Sequence, residues 1–381
     1  MDRMRVVFDA RHLQTVSRTR GIGRYSRNLL AAFARRAPAD VAWTLLRLRT
    51  FAPADPSPLP PHRDLATFRL RRPELTMLAL DPILLTFELP LAGGDVYHSV
   101  QLGLPALRRM AAVVTIHDLA PLHFPDEYLR TPYARVGHAW QYALARRADA
   151  VIAVSEATAE DVRARLRVPA SRVHVVAEAV DPAFAPPPRA EAAAAMRARF
   201  GLPGRYVLYV GQFDPRKNMT ALFAAFAAAS ARDDELRLVI VGTLGKLTSI
   251  MRAALAGSRL APERVVTTGF VDDATLGSLY AGAECLLHPA RFEGFGLTAL
   301  ESLAAGTPVV AYDAGAVREV VGDAGLLVDP AAPAGLADAL AALLGDDALA
   351  LRLRERVPAR VARFSWDRAA EETLAVYRGV A

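Results

Sequence analysis

Short apolar runs alternate along the chain with longer segments in which apolar and polar positions recur at a helical period. This alternation is typical of parallel α/β architecture, where each strand is followed by a crossover helix. In the first half of the chain it predicts helices over residues 24–36, 133–147 and 156–166. The predicted strands of this half are residues 5–8, 42–48, 96–98, 113–117, 151–154 and 173–176.

A second series of apolar runs follows residues 181–188, which end in three consecutive prolines. Consecutive prolines continue neither a helix nor a central strand, so they predict a stiff linker between two domains. We therefore expect doubly wound, Rossmann-like α/β domains at residues 1–184 and 185–364, with a ligand cleft between them. A terminal helix is expected within residues 365–381. The predicted strands of the second domain are residues 206–210, 238–241, 265–268, 285–288 and 309–312.

Two glutamates, Glu293 and Glu301, lie eight positions apart across a glycine-rich bend. A helix is predicted over residues 296–305, so Glu293 precedes its first turn and Glu301 lies about one turn inside it. The free N–H groups of a first turn, together with the helix dipole, favour a bound anion. A nucleotide-sugar suits this pattern, because its diphosphate would meet the amides and its two sugars would meet the carboxylates.

A simpler interpretation is that Glu293 only stabilises the helix dipole and that Glu301 lies on a solvated helix face. Against it, Gly294 and Gly296 open the backbone between the carboxylates, and the bend follows the strand 285–288. Ligands of open α/β sheets bind at the carboxyl ends of strands. The position therefore favours a ligand site.

A second charged loop follows the strand 206–210. Gly211 ends this strand, and a proline turn then carries Arg216 and Lys217 to the start of a helix at Asn218. Arginine offers a planar fork of donors and lysine a compact charge, and both suit a diphosphate. Cations are disfavoured at a helix N-terminus unless an anion is bound, so a phosphate-facing loop is preferred to two solvated charges.

In the first domain, Gly21 and Gly23 open a helix, but the residue at position 26 is serine. The full G-x-G-x-x-G fingerprint is therefore absent, and we expect Gly23 to allow a close backbone approach to a ligand. His117 and Asp118 end another strand. We expect His117 to bond a substrate hydroxyl or phosphate, and Asp118 to orient a loop; a purely structural histidine is the alternative. No histidine spacing in the sequence favours a metal site.

Charge is shared unevenly between the two halves. Residues 1–184 hold 25 arginines against 18 acidic residues, whereas residues 185–381 hold 21 basic and 22 acidic residues. The basic half predicts contact with anionic lipid or with a phosphate-bearing acceptor, and a general arginine bias is the alternative. The single cysteine, Cys285, excludes a disulfide framework and favours a cytoplasmic protein. No apolar signal segment precedes the first strand, and no apolar run is long enough to span a bilayer.

These motifs together resemble glycosyltransferase family 4, whose members are retaining enzymes of GT-B fold, and within it the bacterial mannosyltransferase-like branch that builds cell-surface polysaccharides. The resemblance implies that the terminal helix, which begins at Trp366, crosses back onto the first domain. The matching positions run in the family's order over nearly the whole chain. They are residues 21–25, 117–118, 211, 215–218, 293–301 and 306–309.

The resemblance also implies a role for each matched residue. Arg216 and Lys217 would stabilise the departing nucleoside diphosphate in place of a metal, so no metal or other cofactor is expected. Glu301 would hold the ribose hydroxyls, and Glu293 the donor sugar. The other donor-binding positions would be Gly211 and the amides of Phe295, Gly296 and Leu297.

From the first domain, Gly23 would bring its amide to the phosphate and His117 would contact the donor sugar. One position departs from the family pattern: Arg216 and Lys217 are adjacent, whereas many relatives separate the two cations by several residues. If only one cation reaches the diphosphate, Lys217 is preferred.

The resemblance thus implies a metal-independent, retaining hexosyltransferase with a nucleoside-diphosphate sugar as donor and a saccharide or lipid-linked molecule as acceptor. On the resemblance alone, GDP-mannose is the first expectation for the donor, and a UDP-hexose-dependent glucosyltransferase is the alternative. A GT-B phosphorylase or an epimerase would fit the same architecture, and a sugar-nucleotide-binding scaffold is the non-enzymatic alternative. No nucleic-acid partner is expected.

Overall fold

The structure is a computed structural model that describes residues 3–19, 21–49, 58–67, 80–182, 184–211, 214–231, 233–242, 248–332 and 334–381. The chain forms two compact units. One comprises Met1–Glu178 and Ser365–Ala381, and the other comprises Ala179–Phe364. The predicted fold class, two doubly wound α/β units, is confirmed.

The N-terminal unit is built on a seven-stranded parallel sheet with the order β3-β2-β1-β4-β5-β6-β7. Its first strand is almost wholly buried because Val6, Val7 and Phe8 are covered on both faces, as parallel sheets require. The strands are β1 Met4–Asp9, β2 Val41–Leu48, β3 His62–Thr67, β4 Val96–Ser99, β5 Ala111–Ile116, β6 Ala150–Ala153 and β7 Val173–Val175.

Helices cover this sheet, and hydroxyl caps fix where several of them start. Thr131, Ser155 and Ser365 each accept a hydrogen bond from a backbone N–H of the first helical turn. The α-helices are Gly21–Arg36, Asp81–Glu88, Ala120–His123, Pro125–Tyr128, Pro132–Ala145, Glu156–Arg165 and Trp366–Val380. Short 3₁₀ helices span Arg11–Gln14, Val16–Thr19, Leu89–Ala92 and Ala170–Arg172.

The terminal helix Trp366–Val380 packs within the N-terminal unit, against the helix Gly21–Arg36. Trp366 meets the ring of Tyr25 edge-on at 5.7 Å between ring centroids. The hydroxyl of Tyr377 lies 2.5 Å from His98 Nδ1 in the buried core.

The C-terminal unit holds a six-stranded parallel sheet with the order β10-β9-β8-β11-β12-β13. The strands are β8 Tyr206–Val210, β9 Arg237–Val241, β10 Val265–Gly269, β11 Leu286–His288, β12 Val309–Tyr312 and β13 Gly325–Val328. The α-helices are Arg189–Phe200, Met219–Ala229, Thr248–Gly257, Asp273–Gly282, Leu297–Ala304, Val317–Val321, Gly335–Gly345 and Asp347–Val361. Short 3₁₀ helices span Pro215–Lys217 and Pro262–Arg264.

The strand order reverses between β8 and β11, which lie side by side in the sheet. The chain leaves β8 towards β9 on one side and leaves β11 towards β12 on the other. The loops after these two strands therefore diverge and open a crevice at the carboxyl edge, where doubly wound sheets bind ligands.

The division between the units falls at Glu178 and Ala179, before the predicted boundary at residues 184 and 185. The local reason is Phe184, whose ring meets Tyr280 of the C-terminal unit edge-on at 6.1 Å. The chain therefore joins the second unit before it reaches the three prolines.

Candidate functional site

The turn that carries Arg216 and Lys217 is held at both ends by side-chain caps. Asp214 accepts a hydrogen bond from the Arg216 N–H at 3.0 Å and so starts the 3₁₀ helix. Asn218 takes a left-handed conformation, with φ of 55°, and its side chain caps the following helix at Ala221 N. The two cations are thus fixed on a tight turn at the carboxyl end of β8. Residues 212 and 213 of this loop lie outside the described residues.

The loop after β11 is tied to this turn through the backbone. The Arg291 N–H donates to the carbonyl of Arg216 at 2.8 Å. In return, Arg216 Nη1 donates to the carbonyl of Phe292 at 3.0 Å. These bonds join the two loops that border the crevice.

Both cations reach one carboxylate, that of Glu293. Arg216 Nη1 lies 2.9 Å from Glu293 Oε2, and Lys217 Nζ contacts Glu293 Oε1. Burial opposes ionisation of this carboxyl group, but Lys217 and Arg216 outweigh it and hold the pKa of Glu293 well below its usual range. A second carboxylate, that of Asp214, lies 3.7 Å from Arg216 Nε, so the two cations face two carboxylates. Adjacency in sequence does not prevent the two cations from converging.

The backbone of Glu293 is fixed by the loop after β12. Ala316 N–H donates to the Glu293 carbonyl at 2.9 Å. Gly315 takes a positive φ of 60°, and a Cβ at this position would lie 2.3 Å from the same carbonyl oxygen. Only glycine fits here. The sequence offered one signal for this contact, a glycine shortly after an apolar strand.

A buried histidine, His288, completes the surroundings of Glu293. His288 ends β11, and its Nε2 lies 3.2 Å from Glu293 Oε1. Neither ring nitrogen makes a hydrogen bond among the described residues. The sequence assigned this residue only to a strand.

The predicted helix N-terminus is present beside this cluster. Gly296, with φ of 100°, is the N-cap of the helix Leu297–Ala304, and the predicted stop at Gly306 falls just beyond its end. Within the described part of the chain, the amides of Phe295, Gly296 and Leu297 donate to no protein group. The ring of Phe295 is buried against Phe364 and anchors the bend.

Glu301 lies in the same helix but is held by a different partner. The hydroxyl of Tyr280 donates to Glu301 Oε2 at 3.0 Å, and the carboxylate is buried. A solvated helix face is therefore excluded for Glu301. Tyr280 was not singled out from the sequence, because its role depends on a contact between two helices.

Gly211 closes β8 over the buried hydroxyl of Tyr209. A Cβ at Gly211 would lie 3.0 Å from Tyr209 Oη, closer than ordinary packing allows. The Gly211 N–H continues the sheet by donating to the carbonyl of Val241.

Gly23 and His117 belong to the N-terminal unit. A Cβ at Gly23 would lie 2.4 Å from the carbonyl oxygen of Ser17 and 2.5 Å from that of Arg18, so the close approach that requires this glycine is to the chain itself. A role for its amide towards a ligand stays a prediction.

Both ring nitrogens of His117 have partners within the N-terminal unit. Nε2 lies 3.0 Å from the Val100 carbonyl, and Nδ1 lies 2.9 Å from Glu178 Oε1. Asp118 accepts from the Ala120 N–H at 3.0 Å and so shapes the start of the next helix. Contact of His117 with a substrate would require it to exchange one of these bonds.

Among the residues that the structure describes, no group of three or more histidine, cysteine or acidic side chains has the arrangement of a metal site. Within the same residues, no helix is both long and apolar enough to cross a bilayer.

Two family models match the chain. The model described as "Glycosyltransferase Family 4" matches residues 19–184, and that described as "Glycosyl transferases group 1" matches residues 195–360. The chain belongs to glycosyltransferase family 4. Its two doubly wound units have the fold class named GT-B.

Individual relatives are similar over part of their length. The D-inositol 3-phosphate glycosyltransferase of Xylanimonas cellulosilytica is 37% identical over 238 residues, which are 60% of this chain and 56% of that protein. The O-antigen chain mannosyltransferase B of Escherichia coli is 29% identical over 290 residues, 74% of each chain. The matched part thus spans little more than half of the first of these relatives.

Among solved structures, Anabaena Alr3699/HepE in complex with UDP and glucose has a TM-score of 0.71 at 19% identity. The match covers 98% of this chain and 99% of that one. At this identity the similarity shows the fold alone.

Proposed function

We propose that this chain transfers a hexose from a nucleoside-diphosphate sugar to a saccharide or lipid-linked acceptor. One observation carries the proposal. Arg216 and Lys217 converge on Glu293 at the switch point of the C-terminal sheet. Beside them the amides of Phe295–Leu297 donate to no described protein group. Cationic side chains beside fixed amide donors are what a developing diphosphate anion requires.

In this proposal the site promotes transfer by stabilising the leaving group. Arg216, Lys217 and the free amides would stabilise the departing nucleoside diphosphate, and no metal would be needed for that task. Glu301 would accept hydrogen bonds from the ribose, held in place by Tyr280. Gly211 would let the β8 loop approach the nucleotide closely.

Glu293 is better suited to positioning a sugar than to acid–base catalysis. Its pKa is held well below the usual range despite burial, because Lys217 and Arg216 favour the ionised form. A carboxyl group that stays ionised cannot donate a proton to a leaving group near neutral pH. We propose transfer with retention, by departure and attack on the same face, as the family resemblance implies, with Glu293 holding the donor sugar and not attacking it.

GDP-mannose is the proposed donor, and a UDP-hexose is the alternative. The mannosyltransferase among the relatives supports the first, and the UDP and glucose bound to the structural neighbour support the second. Gly23 and His117 are proposed to meet the donor from the N-terminal unit. The acceptor is proposed to serve cell-surface polysaccharide or glycolipid synthesis.

We further propose that the protein is cytoplasmic and touches an anionic membrane through its basic N-terminal unit. Support comes from neighbouring apolar side chains that are largely exposed: Phe87 at 72%, Leu91 at 74% and Leu107 at 69%. Leu107 N–H donates to Thr86 Oγ1, which places the loop beside the helix Asp81–Glu88. Arginines and exposed apolar groups together are typical of peripheral binding.

The proposal is tested with Lys217→Ala and Glu301→Ala in a donor screen over GDP-mannose and UDP-hexoses. Each variant should lose transfer by about 100-fold, as expected when a charged contact to the leaving group or a buried substrate contact is removed. Melting temperature without ligand should change little for Lys217→Ala. Stabilisation by nucleoside diphosphate should be lost in both variants, since binding to the folded state is what raises apparent stability.

Arg352→Ala serves as a matched control, because Arg352 is an exposed cation of the same unit, outside this site. Wild-type turnover in Lys217→Ala or Glu301→Ala would contradict the proposal. Dependence on free phosphate would indicate a phosphorylase, and product without an acceptor would indicate an epimerase. Donor binding with neither transfer nor hydrolysis would indicate a scaffold.

A further inference from the structure

His288 is a buried side chain whose hydrogen-bonding capacity is unused. Its side chain is only 1% exposed, and neither ring nitrogen has a hydrogen-bond partner among the described residues. Buried polar groups normally have partners, so such a group needs an explanation. Its nearest charged neighbour is Glu293, whose Oε1 lies 3.2 Å from His288 Nε2.

The charge state of His288 suits a hydrogen-bond donor. Burial lowers the pKa of its ring, Glu293 opposes this shift, and Lys217 and Arg216 add to it. The net lowering keeps the imidazole neutral near pH 7. A neutral imidazole carries one N–H, and the carboxylate beside Nε2 favours the tautomer with the proton there.

Glu293 can change partners only through its side chain. Its carbonyl accepts from Ala316 N–H, and Gly315 packs directly against its backbone. The carboxylate oxygens, by contrast, face three groups in the described part of the chain: Arg216, Lys217 and His288. Two of these are the cations that the proposed function assigns to the diphosphate.

Donor binding therefore creates a problem for Glu293. A diphosphate that draws Arg216 and Lys217 towards itself removes the positive charge that now compensates a buried carboxylate. An uncompensated buried charge is strongly unfavourable. Among the described residues, the group left within reach of Oε1 is His288.

We propose that His288 is a positioning residue that holds Glu293 when the diphosphate takes over the two cations. In the donor complex, His288 Nε2–H donates to Glu293 Oε1 and keeps the carboxylate directed at the donor sugar. The proposal rests on the proposed function, since it needs a diphosphate at Arg216 and Lys217.

The kinetic test uses His288→Leu and His288→Gln. We expect His288→Leu to lower kcat about tenfold, because a buried acceptor loses its donor. Affinity for GDP or UDP, which depends on the cations, should stay within about twofold of wild type. Since glutamine retains an N–H donor of similar reach, His288→Gln should recover most of the rate.

A double-mutant cycle separates this role from simple packing. If His288 acts through Glu293, His288→Leu should have no further effect on kcat in the Glu293→Gln background. Equal losses of kcat in both backgrounds would overturn the proposal, as would a wild-type kcat in His288→Leu. Absence of sugar transfer by the wild-type protein would instead refute the proposed function.

A measurement on the wild-type protein keeps the test valid if the variants fold poorly. The ¹⁵N and ¹H resonances of the His288 Nε2–H should shift on addition of GDP or UDP, as the hydrogen bond to Glu293 forms. Binding of the nucleotide with unchanged His288 resonances would overturn the proposal.

Discussion

The two units each place an arginine–carboxylate cluster just after the first strand of their sheet, and the clusters differ in burial and charge. In the N-terminal unit, Arg11 is bonded to Asp9 and Asp81, and the three side chains are 0%, 1% and 1% exposed. In the C-terminal unit, Arg216 and Lys217 share Glu293, and the exposed fractions are 18%, 12% and 8%.

The two clusters also differ in how their cations are paired. Arg11 donates four hydrogen bonds of 2.6–2.8 Å from Nε and both Nη atoms to the carboxylates of Asp9 and Asp81. The hydroxyl of Tyr97 also donates to Asp9, at 3.0 Å. That cluster is saturated and sealed, which is the arrangement of a structural ion group. In the C-terminal cluster, Arg216 and Lys217 face Glu293 and the more exposed Asp214, and the group reaches solvent, as the proposed anion site requires.

The same substitution in both clusters should have different consequences. Arg11→Met leaves two buried carboxylates without their cation and should lower the free energy of unfolding by about 3–5 kcal/mol. Arg216→Met should cost less, about 1–3 kcal/mol, because Lys217 remains beside Glu293. It should also lower sugar transfer by about 100-fold.

The units can be followed separately in this experiment. All three tryptophans, Trp43, Trp140 and Trp366, belong to the N-terminal unit, so their fluorescence reports on that unit, whereas circular dichroism reports on both. Urea unfolding of the two variants would measure the difference. Equal losses of stability would show that the C-terminal cluster is structural as well.

The architecture was predictable because it depends on local patterns. Nearly every buried strand of the sheets was predicted within a residue or two of its observed ends, since apolar runs and helical periodicity are properties of short segments. The strands missed were β3 and β13, which lie at sheet edges. β3 has the sequence His-Arg-Asp-Leu-Ala-Thr, and an edge strand with one exposed face and charged residues carries no apolar run.

The candidate site was predictable only in part, because its geometry depends on contacts between distant segments. The glycine bend and the charged turn predicted that Glu293, Arg216 and Lys217 belong to a ligand site, and the structure brings these three side chains together. That both cations bind the same carboxylate could not be read from spacing. The supporting residues Gly315, Tyr280 and His288 were missed for the same reason: each acts through a residue in another loop or helix.

Mild acid should destabilise the N-terminal unit more than the C-terminal unit, where burial also lowers the pKa of one histidine, His288. Burial lowers the pKa of His98 from 6.5 to about 3 and that of His12 from 6.5 to about 4, so the folded N-terminal unit keeps both rings neutral. The unfolded chain binds more protons below pH 6.5, and stability must fall as pH decreases from 6.5 towards 4. The loss is at most about 1.4 kcal/mol per pH unit for each histidine.

The carboxylates Asp9 and Glu293 do not contribute to the fall in stability as the pH decreases from 6.5 towards 4. Burial raises the pKa of Asp9, but Arg11 outweighs this effect and brings the pKa to about 2. The pKa of Glu293 is also lowered. Both carboxylates therefore take up protons only in stronger acid. Tryptophan fluorescence during urea unfolding at pH 7 and pH 5 would measure the effect. His98→Gln removes one titrating group, so the free energy of unfolding should change less between pH 7 and pH 5. An unchanged free energy of unfolding at pH 5 would contradict the neutral state of the buried rings.

The smallest expected effect comes from the partner of Glu301 within the C-terminal unit. Tyr280→Phe removes only the hydroxyl that donates to Glu301 Oε2 and leaves the ring against Phe184. Losing one such bond costs about 1 kcal/mol, so the KM for the donor should rise by roughly fivefold while kcat stays within about twofold of wild type. Steady-state kinetics with varied donor would measure this separation. A fall in kcat at unchanged KM would show that Glu301, like Glu293, acts in the transfer step. It would contradict the proposal that Glu301 holds the nucleotide while Glu293 holds the sugar.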